Sequence, residues 1–171
     1  MTLAKSTDFY YTIDMTSYEK IWDVAEDNHG VITSARAKAL GVPAAALVSM
    51  AANGKLCRIG HGVYKLEMHV PGPYDEYAQA VALVGETGFV RGASSLMMRG
   101  LIPFDPARMY LGVSRRMRRR LSEGYDVKVV SDPHVERIEG IPVERLDWAV
   151  RDARECGAVD EDRLKSVGVL S

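Results

Sequence analysis

The chain of 171 residues has only two cysteines, Cys57 and Cys156, far apart and without C-x-x-C spacing. That excludes a disulfide framework and a paired redox thiol. Thiols so placed point to a reducing compartment, where they are most often small buried hydrophobes. No run of about 18 apolar residues occurs, so no membrane span is expected. The first residues lack a basic stretch followed by an apolar core, so no secretory leader is expected. Charge of one sign is missing as well: 22 Lys+Arg stand against 23 Asp+Glu, a net −1. This excludes a uniformly basic nucleic-acid coat and a highly charged disordered tail. The expectation is a cytoplasmic globular protein.

What is present suits that expectation. At 47% apolar and 26% charged, the chain can build a core without disulfide or metal staples. Its charge is unevenly spread. Residues 1–69 carry 7 basic and 7 acidic groups, residues 70–131 carry 9 and 6, and residues 132–171 carry 6 and 10. The basic middle contains Arg115-Arg116-Met117-Arg118-Arg119-Arg120, five arginines in six positions. Such a run is either a solvated face or a patch for phosphate backbone or an acidic partner, since arginine pairs with those groups in bidentate fashion. His69-Val70-Pro71-Gly72-Pro73 stops any regular ladder and marks a boundary. Two units are expected, 1–70 and 71–171.

The first unit reads as three helices and a hairpin. Thr16 and Glu19 have capping-box spacing, and Tyr18, Ile21, Trp22 and Ala25 form one apolar stripe. Gly30 is free to take the left-handed cap at the end of that helix. Val31-Ile32 is a short extended piece. Thr33 or Ser34 then caps a second helix ending at Leu40-Gly41, and Pro43 suits the first turn of a third. The third helix turns Leu47, Met50 and Ala51 inward and ends at Asn53-Gly54. Leu56-Cys57-Arg58-Ile59 and Val63-Tyr64-Lys65-Leu66, around the tip Gly60-His61-Gly62, predict a hairpin. Trp22, Tyr18 and Tyr64 fit a core or interface better than a stacking platform. This is the plan of a winged helix-turn-helix, in which the third helix enters a major groove about 12 Å wide and the hairpin forms the wing.

The second unit reads as mixed α/β. A helical stripe runs through Tyr74, Tyr77, Ala78, Val81 and Ala82, and Ser94 or Ser95 could cap a short helix through Met98. Strands are expected from Met109 to Val113 and Val127 to Ser131. A hairpin is expected from Val135 to Ile138 and Ile141 to Arg145, around Glu139-Gly140. Asp147 could cap a helix closed by Gly157, and a last helix would span Asp160 to Val167. The fold class expected is α+β: the winged unit followed by a small sheet with helices on one face.

Several motifs together resemble a known family. Gly30-Val31-Ile32-Thr33, Ala39-Leu40-Gly41-Val42-Pro43, Leu47, and Gly54-Lys55-Leu56-Cys57-Arg58-Ile59-Gly60-His61-Gly62-Val63-Tyr64 are similar to the N-terminal domain of AbiEi-type antitoxins of bacterial type IV toxin–antitoxin systems. Ala93-Ser94-Ser95-Leu96-Met97-Met98-Arg99-Gly100-Leu101, Met109-Tyr110-Leu111-Gly112-Val113, and Gly140-Ile141-Pro142-Val143 followed by Leu146 resemble its C-terminal region. The resemblance implies two roles. The winged domain would bind inverted repeats in its own promoter and repress transcription; a homodimer on the DNA would suit such sites, because palindromic sites mirror two-fold proteins. The second domain would oppose a nucleotidyltransferase-like toxin without a stable complex.

The residues expected at DNA are few in charge. On the third helix the outward positions are Ala44, Ala45, Val48, Ser49, Ala52 and Asn53. Only Ser49 and Asn53 can hydrogen-bond to base edges, and alanine can at best touch a thymine methyl. Backbone contacts would come from Thr33, Ser34, Arg36 and Lys38, from Lys55, and from Arg58, His61 and Lys65 on the wing. Arg115, Arg116, Arg118, Arg119 and Arg120 would serve DNA backbone or a partner. The rival reading is a protein-interaction module that docks this patch on an acidic partner.

Enzyme chemistry finds no footing. Gly85-Glu86-Thr87-Gly88 lacks the Gly-Lys-Ser/Thr ending of a P-loop, and Gly92-Ala93-Ser94 is no nucleophile elbow. His29, His61, His69 and His134 show no metal-ligand spacing, and Cys57 with His61 is a lone C-x₃-H. Asp75 and Glu76 suit a helix N-terminus better than acid–base work. No enzyme, cofactor or metal is expected.

Overall fold

A computed structural model describes residues 16–105, 107–117 and 121–169. The chain divides into two compact units, Met1–Asp75 and Glu76–Ser171. The first contains helix α1 over residues 16–26, then β1 (Val31–Thr33), α2 (Ser34–Ala39), α3 (Ala44–Ala52), β2 (Leu56–Gly60) and β3 (Val63–Leu66). Residue 16 is the first described residue and is helical. After α1 the chain turns through two left-handed residues, His29 (φ 55°) and Gly30 (φ 75°). Gly30 is required there twice over, because a Cβ would also lie 2.5 Å from a ring carbon of His69.

The hairpin expected from β2 and β3 is in fact part of a three-stranded antiparallel sheet, order β1-β3-β2. Val31 pairs with Lys65 and Thr33 with Val63, so the short extended piece finds its hydrogen bonds thirty-odd residues away. Three residues have too little pattern to announce such a long-range strand. Thr33 is the N-cap of α2, its Oγ1 accepting from the Arg36 N–H at 3.2 Å. Ser34 is the first helical residue, and its N–H donates to the Gly62 carbonyl at 2.8 Å. Pro43 is the N-cap of α3 rather than a residue of its first turn. One core unites these elements: Ile21 and Ala25 of α1, Ile32, Ala37, Val42, Leu47 and Met50, with Leu56, Tyr64 and Leu66 from the sheet. Tyr18 and Trp22 pack at its margin.

The second unit comprises α4 (Asp75–Val84, whose first residue closes the first unit), β4 (Gly88–Val90), α5 (Gly92–Met98), β5 (Met109–Val113) and β6 (Tyr125–Val129). It continues with β7 (Val135–Ile138), β8 (Ile141–Glu144), α6 (Leu146–Glu155) and α7 (Glu161–Ser166). Its sheet is mixed, in the order β6-β5-β4-β8-β7. The central strand β4 was not expected, because Gly88-Phe89-Val90 is three residues long and follows a glycine-bounded turn. All three are buried, and Phe89 lies across Gly112 of the paired strand β5, where a Cβ would sit 2.1 Å from the ring.

Boundaries shift for identifiable reasons. β6 starts at Tyr125 and ends at Val129, rather than spanning Val127 to Ser131, because it runs parallel to the whole of β5 from Met109 to Val113. Neither Ser94 nor Ser95 caps α5. Arg91 is the N-cap, and both serines are buried inside the helix. Ser94 Oγ accepts from the Tyr110 N–H at 2.8 Å and Ser95 Oγ donates to the Glu144 carbonyl at 2.9 Å. Arg145 rather than Asp147 caps α6; Asp147 lies in its first turn, where a negative charge meets the positive end of the helix. Glu139 and Gly140 are both left-handed (φ 48° and 78°), the pair a two-residue hairpin turn demands. Cys57 and Cys156 are exposed, not the buried hydrophobes expected of them. Among the described residues no helix is long and apolar enough to cross a membrane.

Candidate nucleic-acid interface

α2 and α3 are joined by a turn at Gly41, whose φ of 77° suits a residue without Cβ. α3 presents two unlike faces. Leu47 and Met50 are fully buried, whereas Ala44, Ala45, Val48, Ser49, Ala52 and Asn53 are all exposed, Val48 by 57%. No charged residue lies in α3. The outward positions are therefore those the periodicity predicts.

The cations of this unit lie on the elements next to α3. Arg36 and Lys38 are exposed in the last turn of α2. Lys55, half-buried, holds its Nζ 4.9 Å from the centre of the Tyr18 ring on α1. Arg58 is exposed on β2, its Nε donating to the Gly60 carbonyl at 3.2 Å. His61 is exposed at the hairpin tip and Lys65 half-buried on β3. The Thr33 hydroxyl is engaged as a helix cap. Ser34 is packed against the hairpin tip, where a Cβ on Gly62 would lie 3.1 Å from its Oγ. The hairpin tip and the start of α2 are thus one tied structure. In the second unit, Arg115 and Arg116 are exposed between β5 and the edge strand β6; Arg118, Arg119 and Arg120 lie outside the described residues.

Two polar clusters had no signal in the sequence. In the first unit, His69 Nδ1 lies 3.0 Å from Glu26 Oε1 and its Nε2 lies 3.1 Å from Asp75 Oδ2. A protonated ring can donate from both nitrogens and so serve both carboxylates at once. Partial burial opposes that charge, but the bonds to Glu26 and Asp75 outweigh it and hold the pKa above its ordinary value. Asp75 also accepts from the Gly72 N–H at 3.0 Å, and His29 Nδ1 lies 4.0 Å from its other oxygen.

In the second unit Arg91 is 2% exposed and bridges Asp126 and Asp152. Its Nε donates to the Leu111 carbonyl at 3.0 Å, and Lys128 Nζ reaches Asp152 at 2.8 Å. Glu144, buried, accepts from the Gly92 N–H at 2.8 Å. Burial raises its pKa, and that backbone bond offsets only part of the effect. Every carboxylate here meets a cation or a backbone donor, which makes the cluster a tie between strands and helices. Among the described residues no three His, Cys, Asp or Glu side chains are placed to hold a metal ion.

The first unit thus combines a helix whose exposed residues are uncharged with cations on the neighbouring elements and a short antiparallel sheet. Residues 19–66 match a family model described as transcriptional regulator, AbiEi antitoxin. That stretch runs from within α1 to the last residue of β3, and so takes in every element just described. The similarities noted in the second unit, from Ala93 onward, lie outside the matched residues. No curated protein matches the chain.

Proposed function

We propose that the chain is a transcriptional regulator and antitoxin of a type IV toxin–antitoxin system. On this reading the first unit is a winged helix-turn-helix that binds promoter DNA, and α3 is its recognition helix. The observation that carries the reading is the family match over residues 19–66, a stretch in which α3 exposes only uncharged residues and Arg36, Lys38, Lys55 and Arg58 stand on the neighbouring elements. A dimer on inverted repeats would place two such faces one helical turn apart. The second unit, with its arginine run, would oppose a nucleotidyltransferase-like toxin without a lasting complex.

A gel shift on DNA from upstream of the coding sequence tests the claim. Affinity should fall as salt rises, log K declining by about 0.9 per decade of salt for each phosphate neutralised. Arg58→Ala should weaken binding to all duplexes alike and reduce that slope by about 1. Absence of any shift at low salt would sink the DNA-binding role. The rival role, a docking module for an acidic protein, draws on the exposure of Arg115 and Arg116. It predicts loss of partner capture, with no change in DNA affinity, when those two arginines are replaced by serine.

A further inference from the structure

The exposed face of α3 has an unusual composition for a surface. Four of its six outward residues, Ala44, Ala45, Val48 and Ala52, end in methyl groups, and the other two, Ser49 and Asn53, are neutral. Val48 is 57% exposed although it is branched and apolar, and in a helix its two methyls are held in one strongly preferred rotamer. In a major groove the one apolar group on any base edge is the 5-methyl of thymine. Guanine is read chiefly by Arg or Lys in bidentate contact with O6 and N7, and α3 has neither. The neighbouring cations stand on other elements than α3. Lys55 lies over the Tyr18 ring, and Arg58 bonds the hairpin backbone at Gly60. Arg36 and Lys38 stand on α2, the helix that crosses the phosphate backbone in such modules. Adenine is read by Asn through N6 and N7, and Asn53 ends this face.

We infer that α3 reads thymine methyl groups, so that the base pairs beneath it are A·T and none is recognised through guanine. The inference rests on the DNA-binding reading above and adds the chemistry of its target. Val48 is the main methyl-contacting residue, Ala44 and Ala45 allow the helix to approach closely, and the cations on the neighbouring elements supply affinity without sequence.

The test uses the full chain and a library of randomised DNA duplexes. Selected sites should contain a core of A·T pairs. Replacing the core thymines with deoxyuridine, which removes only the methyl, should weaken binding about fourfold per buried methyl. Val48→Ser should bind the thymine and uracil duplexes equally, since the discriminating contact is gone, while keeping the salt dependence. Cores with an invariant guanine, or equal affinity of the native chain for thymine and uracil duplexes, would overturn the inference and leave DNA binding intact. Retention of the thymine preference by Val48→Ser would overturn the role given to Val48. Failure to bind any duplex at low salt would overturn the DNA-binding reading itself, and the inference with it.

Discussion

The two units use arginine differently. In the first, the core is built of Ile21, Ile32, Leu47, Met50, Leu66 and their neighbours, and Arg36, Lys38 and Arg58 all sit outside it. In the second, Arg91, Glu144 and Asp152 are buried at the junction of β4, β8, α5 and α6. An arginine on the first unit can therefore be replaced without disturbing the fold, and its loss reports on partners. An arginine such as Arg91 is part of the fold, and its loss reports on packing. Near-neutral net charge conceals both arrangements equally.

The sharpest way to break this contrast is to remove a charge from each. Arg91→Met should destabilise the second unit by about 3–5 kcal/mol, because buried Asp152 loses its guanidinium and keeps only the half-exposed Lys128 ammonium. Each unit has one tryptophan, Trp22 in α1 and Trp148 in α6, so a Trp22→Phe background lets fluorescence follow the second unit's unfolding in urea. A change under 1 kcal/mol would mean the cluster is not a structural tie. Arg36→Ala in the complementary Trp148→Phe background should leave the first unit's midpoint nearly unmoved.

An apolar deletion should matter where the first unit hides its stability. Leu47→Ala, at a fully buried site, should cost about 2–5 kcal/mol by urea unfolding followed at Trp22. Thr33→Ala, which removes the cap of α2, should cost less, about 1 kcal/mol.

The smallest effect is one of pH. The folded-state pKa of His69 is raised, so its contribution to stability is complete below the unfolded value and fades as pH rises through the folded one. The first unit should lose stability over that interval, and His69→Gln should remove that part of the pH dependence. A native chain whose unfolding midpoint does not respond to pH there would show that the Glu26–His69–Asp75 bonds contribute nothing.

Local elements were legible where a residue type met a backbone demand. Gly30, Gly41 and Gly140 fall where left-handed turns occur, the hairpin tip lies at His61-Gly62, and the outward face of α3 follows from its period. Short strands were not legible as members of a sheet. β1 and β4 have three residues each and show their nature only through partners far along the chain, Lys65 for Val31 and Gly112 for Phe89. The serines of α5 were misjudged for a related reason. A serine near a helix start suggests a cap, yet these two are buried and bond to Tyr110 and Glu144 on other strands. The exposed cysteines show the same limit, since no local pattern reports what covers a thiol.

By itself, then, the sequence determined the helices, the turns between them, the methyl-rich face of α3 and the scarcity of charge upon it. These follow from backbone geometry and periodicity, which are local. Only the tertiary structure decided that Val31–Thr33 completes a sheet, that β4 lies at the centre of the second unit, that Arg91 is buried between Asp126 and Asp152, and that His69 joins Glu26 to Asp75. Those depend on contacts between residues distant in the chain, where burial and low dielectric set the strength of each bond, and no window of neighbouring residues contains that information.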